Sequence, residues 1–216
     1  MTRVTPEMYL DAAGETIYMV GISLFIGALI GIPLALIMVI TRPGGLKPHP
    51  IIYQVVNVVV NILRSLPFVI LMVAIVPFTR LVTGTSIGTT AALVPLTIYI
   101  APFVARLIEQ SLLEVDPGIL EAAGSMGATM WQTIRYFILP EAKASIILAL
   151  TTATVGLISA TAMAGYVGGG GVGDLALSYG YQQFDTIAMV VTVIILIVVV
   201  QGIQSLGNYL SRRARD

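Results

Sequence analysis

Residues 121–140 of the 216-residue chain read EAAGSMGATMWQTIRYFILP, the longest polar stretch between its hydrophobic segments. Asp116 and Pro117, just before this stretch, have the pattern of an N-cap followed by proline in the first helical turn. Gly127 suits the left-handed conformation in which helices commonly end, because glycine has no Cβ to clash there. Residues 117–127 are therefore predicted to form a short helix that stops at a glycine turn.

A second helix is predicted directly after this turn. Thr129 and Gln132 have the spacing of a capping box, and Pro140 is expected to end the helix because it lacks a backbone N–H. One apolar stripe follows at positions i, i+3 and i+7, formed by Trp131, Ile134 and Ile138. The predicted hairpin thus has an apolar face that another surface is expected to cover.

The composition predicts a polytopic membrane protein. Hydrophobic residues make up 57% of the chain, charged residues only 10%, and the mean hydropathy is +0.96, whereas soluble domains carry about 25% charged residues. The formal net charge is zero, which argues against nucleic-acid binding. Cysteine is absent, so no disulfide framework is possible. The N-terminus lacks the basic segment of a signal peptide, so the first hydrophobic run is expected to stay as a membrane helix.

The hydrophobic runs predict an all-α integral membrane protein with five transmembrane helices in a domain over residues 13–207. The spans are expected at about 16–40, 51–79, 86–105, 145–167 and 186–207, with a helical loop over 112–140. Arg64 interrupts the second span. We expect a helix over 51–63 that begins in the interface, a bend at Pro67, and the main crossing over 65–77.

Charge bias predicts the orientation, since Lys and Arg concentrate in cytoplasmic loops. Alternating the five spans places most of the basic residues on one side: Arg42, Lys47, Arg106, Arg135, Lys143, Arg212, Arg213 and Arg215. Arg3 and Arg80 fall on the other side, and Arg64 is ambiguous. The N-terminus is therefore expected outside, with the 112–140 loop and the C-terminus in the cytoplasm. A single five-helix copy encloses a pore poorly, which favours a symmetric homodimer surrounded by membrane lipid.

No catalytic, metal-binding or cofactor-binding constellation is recognisable. The chain lacks the phosphate-binding loop of ATPases, so any ATP that drives it must be hydrolysed by another protein. His49, the sole histidine, is expected to be an ordinary loop residue.

Two regions are candidates for a translocation pathway or gate. In the fourth span, Gly156 and Ala160 begin a small-residue pattern that fits either a pore-lining or dimer-axis helix or simple bundle packing. Ser159 lies on the same helix, and Met163 is either a soft gate residue or filler. Next, Gly168 and Gly169 open a glycine run, which is either an irregular segment at the outer mouth or a flexible loop.

Polar side chains also occur within the second span. Asn57, Asn61 and Arg64 share one helix face. Arg64 either contacts the substrate or has a structural or phosphate-facing role at the membrane interface. A second polar stripe, Gln201, Gln204 and Asn208, suits interface anchoring or subunit packing.

The stretch that opens at Glu121 resembles the EAA loop of type-I permease subunits of bacterial ATP-binding-cassette importers. Glu-Ala-Ala, three residues, Gly, nine residues and Ile-x-Leu-Pro form the family pattern. It is matched here by Glu121, Ala122, Ala123, Gly127, Leu139 and Pro140, with Phe137 in place of the Ile. Two longer segments, 61–88 and 165–185, look like the methionine-importer permeases within that family.

This resemblance implies a five-span permease fold that works as a homodimer with two copies of an ATPase subunit. It implies that the six matched residues belong to the element that couples to the ATPase, and that Glu121 to Gly127 form the part that docks in it. It also implies methionine or a related amino acid as substrate, delivered by an extracytoplasmic binding protein. A secondary carrier or channel and a non-transport membrane scaffold are the alternatives.

Overall fold

The structure, a computed structural model, describes residues 3–215 and is helical throughout that range apart from turns and short connections. The α-helices in chain order are α1 Pro6–Thr41, α2 Pro50–Ser65, α3 Phe68–Ala74, α4 Val76–Thr83, α5 Thr89–Leu113, α6 Pro117–Ser125, α7 Met130–Gln132, α8 Leu139–Gly165, α9 Gly171–Leu175 and α10 Thr186–Arg213. Wider π-helical turns, Thr133–Ile138 and Ala176–Tyr181, follow α7 and α9 respectively.

Four helical segments in the described range are long and apolar enough to cross a membrane: Pro6–Thr41, Thr89–Leu113, Met130–Gly165 and Thr186–Arg213. A fifth candidate is the α2–α3 pair, which is bent by 100°. The all-helical membrane fold predicted from hydropathy is therefore confirmed.

The interval 51–79 is not one continuous helix, and the crossing predicted over 65–77 is divided between α3 and α4. Leu66 leaves the helical conformation with φ −81° and ψ 125° between α2 and α3. The residue before a proline is sterically pushed towards extended geometry, and Leu66 precedes Pro67. The bend predicted at Pro67 is thus confirmed, and a further break at Ile75 separates α3 from α4.

Helix α5 extends beyond the predicted end of its span at residue 105. Two charged residues suggested that end, but Arg106 Nη1 donates a hydrogen bond to Glu109 Oε2 at 2.6 Å. Pairing at i, i+3 lets the helix continue to Leu113 with Glu109 buried. Helix α1 likewise starts early, at Pro6, where the Thr5 side chain caps it.

Pro140 does not end the hairpin's second helix, contrary to the sequence prediction. The chain is helical without interruption from Met130 to Gly165. Pro140 follows a π-helical turn in which Leu139 N donates to Ile134 O, five residues earlier. The wider turn accommodates a residue that lacks an N–H donor and would crowd a regular α-helical turn.

The core lies where α1, α5 and α8 meet. Leu96 and Ile100 of α5 and Leu157 of α8 are fully buried there. Helix α1 approaches α5 closely at Gly31, where an added Cβ would lie 2.6 Å from the Ala101 carbonyl oxygen. Small residues therefore allow direct backbone contact between these helices, as is common in membrane bundles.

Two sets of contacts define the ends of the bundle. At one end, the N–H of Gly88, the residue just before α5, donates to Gly168 O, and Gly171 N donates to Glu15 Oε2 of α1. At the other end, Ser145 Oγ donates to Glu114 Oε2. The N-terminal half of α1 thus shares an end with the glycine run, and the 112–140 loop lies at the opposite end.

Candidate coupling surface and translocation cavity

The first helix of the hairpin has the ends that its sequence predicts. Asp116 Oδ1 accepts a hydrogen bond from Gly118 N at 2.7 Å. At the other end, Gly127 has φ +71° and Ala128 N donates to Ala123 O at 3.0 Å. These bonds satisfy backbone groups that a helix end leaves without partners. The turn therefore has a defined geometry that depends on glycine at position 127.

The capping box at the second helix is confirmed in both directions. Gln132 N donates to Thr129 Oγ1 at 3.4 Å, and Thr129 N donates to Gln132 Oε1 at 2.8 Å. This reciprocal pair fixes the angle at which the chain leaves the glycine turn.

The predicted apolar stripe is divided between two environments. Ile134 and Ile138 are only 2% and 3% exposed, because they pack into the main core of this same chain. Trp131 is 62% exposed. The expectation that the whole stripe needs an external cover is therefore wrong, and only its first residue remains for a partner.

An apolar surface nevertheless remains at the turn of the hairpin. Met126 and Trp131 are more than half exposed, and Met130 is also exposed. We call these three residues, together with the exposed Glu121 and Ala122, the hairpin tip. Large exposed apolar side chains grouped in one place are typical of protein–protein contact sites.

The six predicted coupling residues differ in their exposure. Glu121, Ala122, Gly127 and Pro140 are exposed, Leu139 is half-buried and Ala123 is fully buried. Ala123 therefore supports the helix from beneath, while Glu121 and Ala122 are available to a partner.

An open apolar cavity of about 680 Å³ lies along α8 and α10. Ser159 and Met163, two of the predicted pathway residues, both line it. Its other lining residues are Val69, Ile158, Ala162, Tyr166, Gly173, Ala176, Leu177, Met189, Leu196 and Val200. A volume of this order is usual for sites that hold small molecules.

The remaining predicted pathway residues lie elsewhere. Ala160 is buried in the core, and a Cβ on Gly156 would point to the ring of Phe103 at 3.8 Å. Both contacts are within this chain, which is what the bundle-packing interpretation of the small-residue pattern expects. Gly168 is exposed, and Gly169 lines a separate, smaller cavity of about 170 Å³. The structure brings together only Ser159 and Met163.

One polar cluster was not recognised from the sequence. Arg106 Nη2 donates to Asn57 Oδ1 at 2.6 Å and to Asn61 Oδ1 at 2.8 Å, and the same guanidinium pairs with Glu109. Arg64 lies nearby with its guanidinium carbon 5.8 Å from the centroid of the Phe103 ring. The shared face of Asn57 and Asn61 was the available signal, but nothing in the sequence indicated its partner.

The remaining polar residues noted in the sequence are His49 and the amide stripe of α10. His49 Nδ1 accepts a hydrogen bond from Ile52 N at 3.3 Å and so caps α2, which is a structural role. The amide stripe formed by Gln201, Gln204 and Asn208 is exposed on α10.

Comparison with known proteins decides the family. Residues 27–216 match the sequence profile of the family described as "Binding-protein-dependent transport system inner membrane component". The chain belongs to this family. It is a helical component of an inner-membrane transport system, and the scaffold and secondary-carrier alternatives are set aside.

Individual relatives are similar over about three quarters of the chain or more. A probable D-methionine transport system permease protein MetI of Vibrio cholerae is 53% identical over 96% of this chain and 92% of its own length. The protein of that name from Pasteurella multocida is 44% identical over 92% of both chains. The D-methionine transport system permease protein MetI of Escherichia coli K12 is 44% identical over 74% of this chain and 75% of its own.

Solved structures show the same permease fold. A chain from inward-facing conformations of the MetNI methionine ABC transporter superposes with a TM-score of 0.96, 39% identity and 99% coverage of both chains. A chain of an amino acid ABC transporter superposes with a TM-score of 0.78 at 23% identity, over 96% of this chain and 94% of that one. The second similarity concerns the fold alone.

Proposed function

We propose that this chain is the membrane-spanning permease of an ATP-driven importer for methionine or a closely related amino acid. It works as a homodimer with two ATPase subunits and receives substrate from an extracytoplasmic binding protein. The observation that carries the proposal is the hairpin tip, an apolar surface that the described part of the chain leaves uncovered. Relatives named as methionine permeases, similar over most of the chain, support the substrate class.

The continuous helix from Met130 to Gly165 supplies a physical route for the coupling. Trp131 of the hairpin tip and Met163 of the cavity lie on this one segment. Thirty-two residues at 1.5 Å each separate them by about 48 Å along the axis. Movement of a bound ATPase subunit would displace the tip, and the helix would carry that displacement to the cavity wall.

The apolar cavity provides half of the pathway in this proposal. Its lining of Ser159, Met163, Leu177 and neighbouring apolar residues suits a small substrate with a thioether side chain. The cavity is open at the surface of one copy, so a second copy facing it would enclose the passage.

The proposed orientation places the hairpin in the cytoplasm and the N-terminus outside. It is supported by the bias of Lys and Arg towards one set of loops. Residues near Glu15 and the glycine run then lie at the outer end. Single cysteines at Ser125 and Gln182, both exposed, would test this because the native chain has none. Ser125→Cys should react with an impermeant maleimide only from the cytoplasmic side and Gln182→Cys only from outside; the opposite pattern would overturn the orientation.

The coupling role is tested by Glu121→Lys in the complex with its ATPase, reconstituted in liposomes with the binding protein. We expect loss of ATP-driven methionine uptake with normal membrane insertion, because the exposed carboxylate at the tip is replaced by the opposite charge. Glu7→Lys is the matched control, since Glu7 is also an exposed carboxylate but lies on α1 at the opposite end. Full uptake by Glu121→Lys with the ATPase bound would refute the coupling role. Absence of uptake by the unmodified complex would refute the substrate assignment.

A further inference from the structure

Residues 168–181, which we call the wall segment, contribute lining residues to two cavities. Gly173, Ala176 and Leu177 line the open apolar cavity of about 680 Å³. Gly169 is the one residue of the segment that lines the smaller cavity of about 170 Å³. The position of this segment therefore affects the wall of the open cavity, to which it contributes three residues.

The wall segment is attached to helix α1 by two hydrogen bonds at its start. Gly171 N donates to Glu15 Oε2 at 2.7 Å, and Val172 N donates to Thr16 Oγ1 at 2.9 Å. The Thr16 hydroxyl donates in turn to Ala12 O at 3.0 Å, which leaves its lone pairs directed at the incoming N–H. The first backbone N–H groups of α9 have no partner within their own helix, and two of them thus bond to side chains of α1.

The fit between these parts is close enough to require glycine. A Cβ added to Gly170 would lie 2.7 Å from Glu15 Oε2, and one added to Gly171 would lie 2.7 Å from Thr16 Oγ1. Gly170 and Gly171 also have φ of +77° and +85°, a region that other residues avoid. The glycines therefore let the start of the wall segment pack closely against α1 with a defined backbone geometry.

Glu15 does not line the open cavity itself. No residue of α1 lines the open cavity. Glu15 has no basic side chain within salt-bridge distance among residues 3–215, so its carboxylate is directed to the backbone of the wall segment. A hydrogen bond to an ionised acceptor is roughly twice as strong as a neutral one.

We infer that Glu15 is a positioning residue for transport: it holds the wall segment in place, and so sets the outer wall of the pathway. This inference rests on the proposed placement of the pathway in the open cavity. Thr16 is the second anchor, and Gly88 N, bonded to Gly168 O at 2.9 Å, steadies the segment from the α5 side.

The first test measures hydrogen exchange of the wall segment in the intact complex by mass spectrometry. Glu15→Ala should speed amide exchange in peptides over residues 168–181 by about tenfold or more, because a charge-assisted bond is lost. Glu15→Gln retains an acceptor oxygen and should stay within about threefold of the native rate. Asp11→Ala, which removes an exposed carboxylate one turn earlier on α1, is the matched control and should change nothing.

Exchange in peptides of α5 must stay constant, which separates loss of the anchor from general unfolding. Equal exchange over 168–181 in Glu15→Ala and native complexes would overturn the inference. A merely structural weakening would raise exchange in α5 as well, and that result would also count against it.

A second measurement separates this inference from the proposed function. Leu177→Cys places a thiol in the wall of the open cavity, and Glu15→Ala should change its labelling rate from outside by about tenfold. Methionine uptake per ATP hydrolysed should fall in parallel while complex yield is maintained. If Glu15→Ala alters exchange but Leu177→Cys reacts only from the cytoplasm, the anchor stands and the proposed pathway fails.

Discussion

Replacement of Arg106 by Met should destabilise the protein strongly, because this guanidinium holds α2 and α5 together. Its Nη1 donates to Glu109 Oε2 at 2.6 Å, and its Nη2 donates to Asn57 Oδ1 at 2.6 Å and Asn61 Oδ1 at 2.8 Å. The side chains of Arg106 and Glu109 are only 16% and 4% exposed. Arg106→Met would remove all three bonds and leave the Glu109 carboxylate buried without its partner.

The size of the effect follows from this burial. Removing one member of a buried pair costs about 3–5 kcal/mol, mostly for the charge left behind. Because Arg106 retains some exposure, we expect Arg106→Met to lower the free energy of unfolding by an amount near the lower end of this range, about 3 kcal/mol. In the double variant Arg106→Met/Glu109→Met no buried charge is left unpaired, so the free energy of unfolding should fall by only about 1 kcal/mol. That cost comes from the two asparagines, which lose Arg106 and can then bond only each other. Asn61 Nδ2 already lies 3.4 Å from Asn57 Oδ1, which makes that rearrangement small.

The assay is the free energy of unfolding in mixed micelles titrated with SDS, measured for the native chain, both single variants and the double variant. Arg135→Met is the control, since Arg135 is exposed and a surface substitution should change stability by less than about 0.5 kcal/mol. The coupling energy from this cycle should be about 2 kcal/mol or more. A loss in Arg106→Met no larger than in the control, or strictly additive single variants, would refute the reasoning.

Two further predictions concern glycines. Gly31→Ala should lower the free energy of unfolding by about 1–3 kcal/mol, because its Cβ would press on the Ala101 backbone. Gly21→Ala should not, since a Cβ there would have no atom of residues 3–215 within 4 Å outside its own helix backbone and chain neighbours. Equal stabilities of the two variants would contradict the close approach. Gly127→Ala should cost about 1 kcal/mol and reduce ATP-driven uptake, because φ there is +71°. Gly124→Ala, in the α6 helix with open space around it, should leave uptake unchanged, and equal losses in both variants would argue against a role for the turn.

The hairpin shows how far local sequence signals extend. The N-cap at Asp116, the glycine stop at 127 and the capping box at Thr129 and Gln132 all appear as predicted. Each depends on residues within a few positions of one another, so the sequence carries the whole interaction. The bend at Pro67 belongs to the same class, because a proline restricts the residue just before it.

Pro140 marks the limit of such local rules. Proline usually ends a helix, yet here the π-helical turn over Thr133–Ile138 lets the helix pass through it. That turn is held by Ile134 and Ile138, which are buried in a core made by distant parts of the chain. Tertiary packing therefore overrode the tendency of Pro140 to end the helix. The continuous helix that results connects the hairpin tip to the open cavity.

By itself, the sequence determined an all-helical membrane protein with a capped helical hairpin, because hydropathy, capping and glycine turns act over short separations. Only the tertiary structure decided which faces of these helices meet. Glu15 contacts Gly171 across 156 residues, and Arg106 contacts Asn57 across 49. The tertiary structure also decided that Ser159 and Met163 line the open cavity, whereas Ala160 of the same helix is buried in the core. The physical reason is that the rotation of each helix about its axis is set by side-chain packing against its neighbours, and this depends on the whole chain.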